Sequence, residues 1–129
     1  MKKLIIPITL LFGLVAVSAC KKDVATKADI TIEEPAIGDT VQFGDSVHME
    51  WYANGDGELH GYSVTLTDTV AGTTYASFSS ENHATSYVFH EHWANAVTDT
   101  LTLRLKVEVK IDDNGNRASK SSNVVCLPQ

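Results

Sequence analysis

Cysteine is scarce in this chain. Of 129 residues only Cys20 and Cys126 are cysteines, and they form no Cys-x-x-Cys pair, which excludes a disulfide framework and a thiolate metal knuckle. Positive charge is also in short supply. The 10 Lys and Arg are outnumbered by 16 Asp and Glu, a net charge of −6, so nucleic acid is not an expected partner and anionic lipid surfaces are repelled. No glycine-rich phosphate loop and no serine nucleophile elbow are present. Ser79, Ser80 and Glu81 lie close to His83 in sequence, but without an elbow or an oxyanion loop they do not make a catalytic set, and no enzyme activity is expected. Beyond residue 20 no segment carries apolar residues at helical spacing, which excludes an α-helical core.

A long apolar run occurs once, at the start. Met1-Lys2-Lys3 is followed by apolar residues 4–17, interrupted by Pro7, Thr9 and Gly13. The run is shorter than the roughly 20 residues of a membrane-spanning helix, and its basic start marks a secretory signal peptide. Val17-Ser18-Ala19-Cys20 closes it and resembles the bacterial lipobox, an aliphatic residue and two small ones before a cysteine. The resemblance implies a lipoprotein: diacylglycerol on the Cys20 thiol, removal of residues 1–19, and a further acyl chain such as palmitate on the new amine. Several chains hold a membrane where one does not, at about 0.8 kcal/mol per buried CH₂. The expected location is therefore the bacterial outer membrane or cell surface. Lys2 and Lys3 leave with the leader, making the mature chain still more acidic, and Cys126 has no cysteine left to pair with.

Residues 20–29 are expected to be the lipidated cysteine and a flexible tether. Residues 21–29 lack aromatic side chains and apolar periodicity, and extended they reach roughly 30 Å, enough to lift a domain off the headgroups. Lys21-Lys22-Asp23 resembles the lysine-plus-acid stretch of surface-exported lipoproteins in Bacteroidota-type bacteria, though one acid alone follows directly; a plain solvated linker is the other reading.

Residues 30–129 are expected to form one domain. Leu101, Leu103, Leu105, Val107, Val109 and Ile111 alternate with polar residues, the period of a half-buried antiparallel strand. Val47, Met49 and Trp51 repeat the pattern, as do Tyr62, Val64 and Leu66. Shorter strands are expected at residues 30–33, 74–78, 85–89 and 120–127, with turns at Gly38-Asp39, Asn54-Gly55-Asp56-Gly57, Ala71-Gly72 and residues 112–116. Asn114-Gly115 is the strongest hairpin signal, both residues tolerating positive φ. About seven short strands with regular turns predict an all-β, two-sheet antiparallel sandwich.

These residues also resemble fibronectin type III and related Ig-like domains. Val47-His48-Met49-Glu50-Trp51 is similar to the second strand, whose tryptophan fills the sandwich centre, and Gly61-Tyr62-Ser63-Val64 to the third. The sixth strand and its hairpin are matched by residues 105–116, and the first strand and Pro-Gly corner by residues 32–39. A further resemblance, carried by Gly57-Glu58-Leu59-His60-Gly61-Tyr62 and His90-Glu91-His92-Trp93, is to small Ig-like Bacteroidota lipoproteins of unassigned function. The motifs imply a fold and say little about ligands.

Two sets of residues are candidates for chemistry. His90 and His92 are two apart, so on a strand they point to one side and can share a metal. Zn²⁺ or Cu²⁺ needs a further ligand, for which His60 and His83, or the nearby acids Glu91 and Asp99, are available. A fibronectin-like order places His60 and His83 at one pole and His90 and His92 at the other, so a shared four-histidine site needs a different course for the edge strands. The second set is acidic: Asp56 and Glu58, with Asn54, are expected to face Asp112 and Asp113, with Asn114, as hard oxygen ligands for Ca²⁺. Turn-forming preference explains the same residues without an ion. The expected function is a membrane-anchored, non-catalytic binding or adhesion module with a protein or glycan partner and no obligatory cofactor. The alternative is a lipoprotein that binds Zn²⁺ or Cu²⁺ through histidines.

Overall fold

The computed structural model describes residues 23–129; the expected signal peptide at residues 1–19 and Cys20 lie outside the described residues. The strands are β1 (Ala28–Glu34), β2 (Asp39–Val41), β3 (Ser46–Leu59), β4 (Tyr62–Asp68), β5 (Thr74–Ser80), β6 (Ala84–Ala94), β7 (Leu101–Lys110) and β8 (Arg117–Cys126). They form a three-stranded sheet, β1-β3-β6, and a five-stranded sheet, β2-β8-β7-β4-β5. This is the Ig-like sandwich expected, with one strand more than foreseen. The extra strand, β2, pairs parallel to β8, with Val41 opposite Cys126, so the sandwich is not wholly antiparallel.

Alternation decides which faces meet. Leu103, Leu105, Val107 and Val109 of β7 are fully buried, and so are Val64 and Leu66 of β4. Against them the other sheet sets Val47, Met49, Trp51 and Ala53. Trp51 sits at the centre, stacked on Phe89 at 5.4 Å and edge-on to Tyr62 at 5.1 Å between ring centres. Cys126 is a buried free thiol, and burial pushes its pKa up.

Three local expectations change. Asn54-Gly55-Asp56-Gly57 is not a turn: β3 continues through it to Leu59, with an irregularity in its pairing to β6 between Asn54 and Leu59. In the hairpin at residues 112–116 Gly115 alone has positive φ (89°); Asn114 does not, because the Asp112 carboxylate accepts the Asn114 and Asn116 amides and shapes the turn. The described part of the expected tether is also not free. The Glu58 amide donates to the Asp23 carbonyl at 2.8 Å, and the Ala25 amide to the Glu58 carbonyl at 3.1 Å. Ala25 is buried, and the Asp56 carboxylate accepts the Thr26 amide at 2.8 Å, the Lys27 amide at 3.1 Å and the Thr26 hydroxyl. Gly57 permits this approach, since a Cβ there would stand 2.4 Å from the Asp23 carbonyl oxygen. Chain entry is thereby fixed to the end of β3.

Candidate metal centre

At that same end β3 leaves the three-stranded sheet and the chain crosses to β4 through His60 and Gly61. The crossing is tied to β7: the His60 amide donates to the Lys110 carbonyl at 2.8 Å and the Lys110 amide to the Gly61 carbonyl at 2.9 Å. Gly61 has φ 121°, and a Cβ would lie 2.4 Å from the Ser80 carbonyl oxygen, so a side chain is excluded sterically and conformationally. The backbone thus turns sharply enough to press His60 against the loop between β5 and β6, which carries His83.

Tyr87 holds the two histidines in register. Its hydroxyl donates to the Asn82 carbonyl and reaches the Leu59 carbonyl at 3.3 Å, so it bridges the residues immediately before His83 and His60. Burial raises its pKa above the ordinary phenol value. The imidazoles of His60 and His83 lie 4.4 Å apart between centres, tilted by 33°. Glu58 joins them, its Oε1 3.3 Å from His83 Nδ1. On the other side Asp113 Oδ1 is 2.9 Å from His60 Nδ1. His60 is 9 % exposed, so its ring is held by packing as well as by Asp113.

Glu58, His60 and His83 each offer a ligand atom, and these atoms all lie within 4.8 Å of one another. Donors at about 2.0–2.1 Å around a tetrahedral ion are about 3.4 Å apart, so side-chain rotations of an ångström or so would close the set. In the tautomer whose Nδ1 proton goes to Asp113, the His60 Nε2 lone pair is left as the donor for an ion, the carboxylate–histidine arrangement that fixes orientation at metal centres. Two imidazoles and a carboxylate suit Zn²⁺ or Cu²⁺ and leave a coordination position open.

The structure does not bring the four histidines together. His90 and His92 lie on β6, which runs away from His83; at about 3.3 Å per residue the stretch from Ala84 to His90 spans about 20 Å. Nor do the four acids form a calcium cage. Both Asp56 oxygens are engaged by Thr26 and Lys27, and their hydrogen bonds, led by the Thr26 hydroxyl, lower its pKa to about 2. Both Asp112 oxygens serve the hairpin, taking the Asn116 side-chain amide at 2.6 Å as well as the backbone amides, which holds its pKa down. Glu58 and Asp113 face imidazoles instead. Sequence reasoning passed over two residues. Tyr87 reads as one more alternating core position, and His48 has no neighbouring histidine in sequence.

No protein-family model and no curated protein matches the chain. Among solved structures it is similar to the fibronectin(III)-like modules of Clostridium thermocellum CbhA, with TM-score 0.49 and 16 % identity over 77 % of this chain and 96 % of that one. It is also similar to a CARDB domain from Pyrococcus furiosus solved with di-metal ions, with TM-score 0.48 and 16 % identity over 83 % of this chain and 99 % of that one.

Proposed function

We propose that the chain is an exported, lipid-anchored, non-catalytic Ig-like binding module whose membrane-proximal pole holds Zn²⁺ or Cu²⁺ through Glu58, His60 and His83. The observation that carries the metal reading is the convergence of the three donors, with Asp113 backing His60. The lipobox-like Val17-Ser18-Ala19-Cys20 supports the anchor. Docking of residues 23–27 on β3 bears on where such an anchor would hold the domain. Asp23 lies three residues after Cys20, a span of at most about 11 Å. Lipidation would therefore keep the Glu58–His60–His83 pole close to the membrane rather than lifting it away.

Isothermal titration of the untagged full-length protein in detergent tests the metal reading. Zn²⁺ and Cu²⁺ should bind at this pole and Ca²⁺ should not, and the His60→Ala/His83→Ala variant should lose one equivalent of transition metal. An unchanged stoichiometry in that variant overturns the assignment. Cys20→Ala should abolish fatty-acid labelling and membrane retention, and a labelled variant contradicts the anchor.

A protein or glycan partner is the second reading. Tyr52 and Val88 favour it: they sit directly opposite each other on β3 and β6, and Val88 is 85 % exposed. Aromatic and aliphatic side chains paired on an open sheet face suit a sugar ring or an apolar side chain. Glycan-array binding that disappears in Tyr52→Ala supports this reading, and binding indifferent to that change refutes it.

A further inference from the structure

The outer face of the three-stranded sheet carries a second group of histidines, remote from the pole. On β3 the inward residues Val47, Met49 and Trp51 alternate with outward His48, Glu50 and Tyr52. On β6 the inward Tyr87 and Phe89 alternate with outward Val88, His90 and His92. The antiparallel register sets His48 opposite His92 and Glu50 opposite His90. Because the buried partners lock that register, the three imidazoles must share one patch of surface.

Their ligand atoms do not yet converge as those of Glu58, His60 and His83 do, but the rings are within reach of one another by side-chain rotation. The His48 ring centre is 6.1 Å from that of His90 and 6.1 Å from that of His92. With Zn–N at about 2.0–2.1 Å and roughly 1.1 Å more to each ring centre, two rings on one tetrahedral ion have centres about 5 Å apart. The rings therefore need to close by about 1 Å, and they are at liberty to turn: the His90 side chain is 60 % exposed. Glu50 Oε1 stands 3.9 Å from His90 Nδ1, too far for a hydrogen bond but near enough to join the coordination after rotation. The acidic chain, at −6, favours cation approach.

We propose that His48, His90 and His92 form a second transition-metal site, distinct from the pole, with Glu50 as supporting carboxylate. Three imidazoles and no thiolate select Cu²⁺ most strongly and Zn²⁺ next among the ions common outside the cytoplasm. The site lies on one face of the paired strands β3 and β6. Its residues come from two strands whose opposite faces are already packed in the core, so loss of a histidine should leave the fold intact.

The test uses untagged full-length protein titrated with Cu²⁺ and with Zn²⁺. The wild type should bind two equivalents, and the His60→Ala/His83→Ala variant should keep one, with electron paramagnetic resonance of its Cu²⁺ showing imidazole nitrogens. Adding His48→Ala to that variant should weaken the remaining site by at least about 100-fold, beyond the 10–100-fold effect of losing an outer-shell partner. Absence of binding in the His60→Ala/His83→Ala variant overturns the proposal, and so does binding there that is indifferent to His48→Ala. Those outcomes leave the pole site unaffected, whereas binding that depends on His48 but not on His60 would sink the pole site and uphold this one.

Discussion

Replacing Asn95 by alanine should unfasten the end of the sandwich opposite the candidate pole site. Asn95 is 1 % exposed and follows β6 in the chain. Its side-chain amide donates to the Val41 carbonyl at 3.1 Å and the Leu127 carbonyl at 3.0 Å, joining the ends of β2 and β8. Its side-chain oxygen accepts the Val97 amide at 3.2 Å. Asn95→Ala strands the Leu127 carbonyl and the Val97 amide, whereas the Val41 carbonyl keeps the Leu127 amide at 3.0 Å. A buried group left unsatisfied costs about 1–3 kcal/mol, and water entering at the part-buried Leu127 carbonyl keeps that loss near the lower end. The expected destabilisation is about 2 kcal/mol, a substantial share of the 5–15 kcal/mol typical of a domain. Asn95→Asp is the sharper control. It keeps the shape and the acceptor for Val97, but it points a carboxylate at two carbonyl oxygens in a buried site, so it should cost at least as much as alanine. Urea melts followed by tryptophan fluorescence read both values, with an unchanged m-value showing that the folded state is otherwise retained. A loss below about 1 kcal/mol for alanine, or tolerance of aspartate, would refute the role assigned to this side chain.

Trp51→Ala should cost about 3–5 kcal/mol in the same melts, while Trp51→Phe should cost far less, because the buried indole N–H has no hydrogen-bond partner to lose. Equal losses for the two would contradict the packing described. Asp56 titrates at about 2 in the folded protein, below its ordinary 3.8, so its contribution to docking residues 23–27 is complete above pH 3.8 and disappears as the pH falls through 2. The Thr26 and Lys27 amide resonances should follow that transition, and a midpoint near 3.8 would show that the carboxylate does not hold them. Tyr87→Phe removes the hydroxyl between the Asn82 and Leu59 carbonyls and should weaken metal binding at the pole by about 10–100-fold without touching a ligand. An unchanged affinity would mean that His60 and His83 keep their places without it.

The alternation in β7 made the sandwich legible, because a strand with one buried face writes its period directly into the chain. Asn54-Gly55-Asp56-Gly57 misled for a physical reason. Its residues have turn chemistry, yet here Gly57 makes room for the Asp23 carbonyl and Asp56 binds the segment at residues 26–27. Composition alone does not distinguish a glycine needed for positive φ from one needed for close approach. The three residues of β2 are too few to show a period, and their parallel pairing with β8 is a non-local event. The same limit hid the cross-strand partners. His90-x-His92 announces itself, but His48 joins it only through the β3–β6 register. His60 and His83 share a pole by topology, whereas the contribution of Glu58 depends on where one side chain turns.

The claim that Glu58, His60 and His83 hold a metal is tested most directly in the His48→Ala variant, where the sheet-face site is disabled. Calorimetric titration of that variant with Zn²⁺ should give one equivalent, abolished by adding His60→Ala and weakened as the pH is lowered and imidazoles bind protons in place of the ion. Failure of the His48→Ala variant to bind Zn²⁺, or binding that survives His60→Ala, would contradict it.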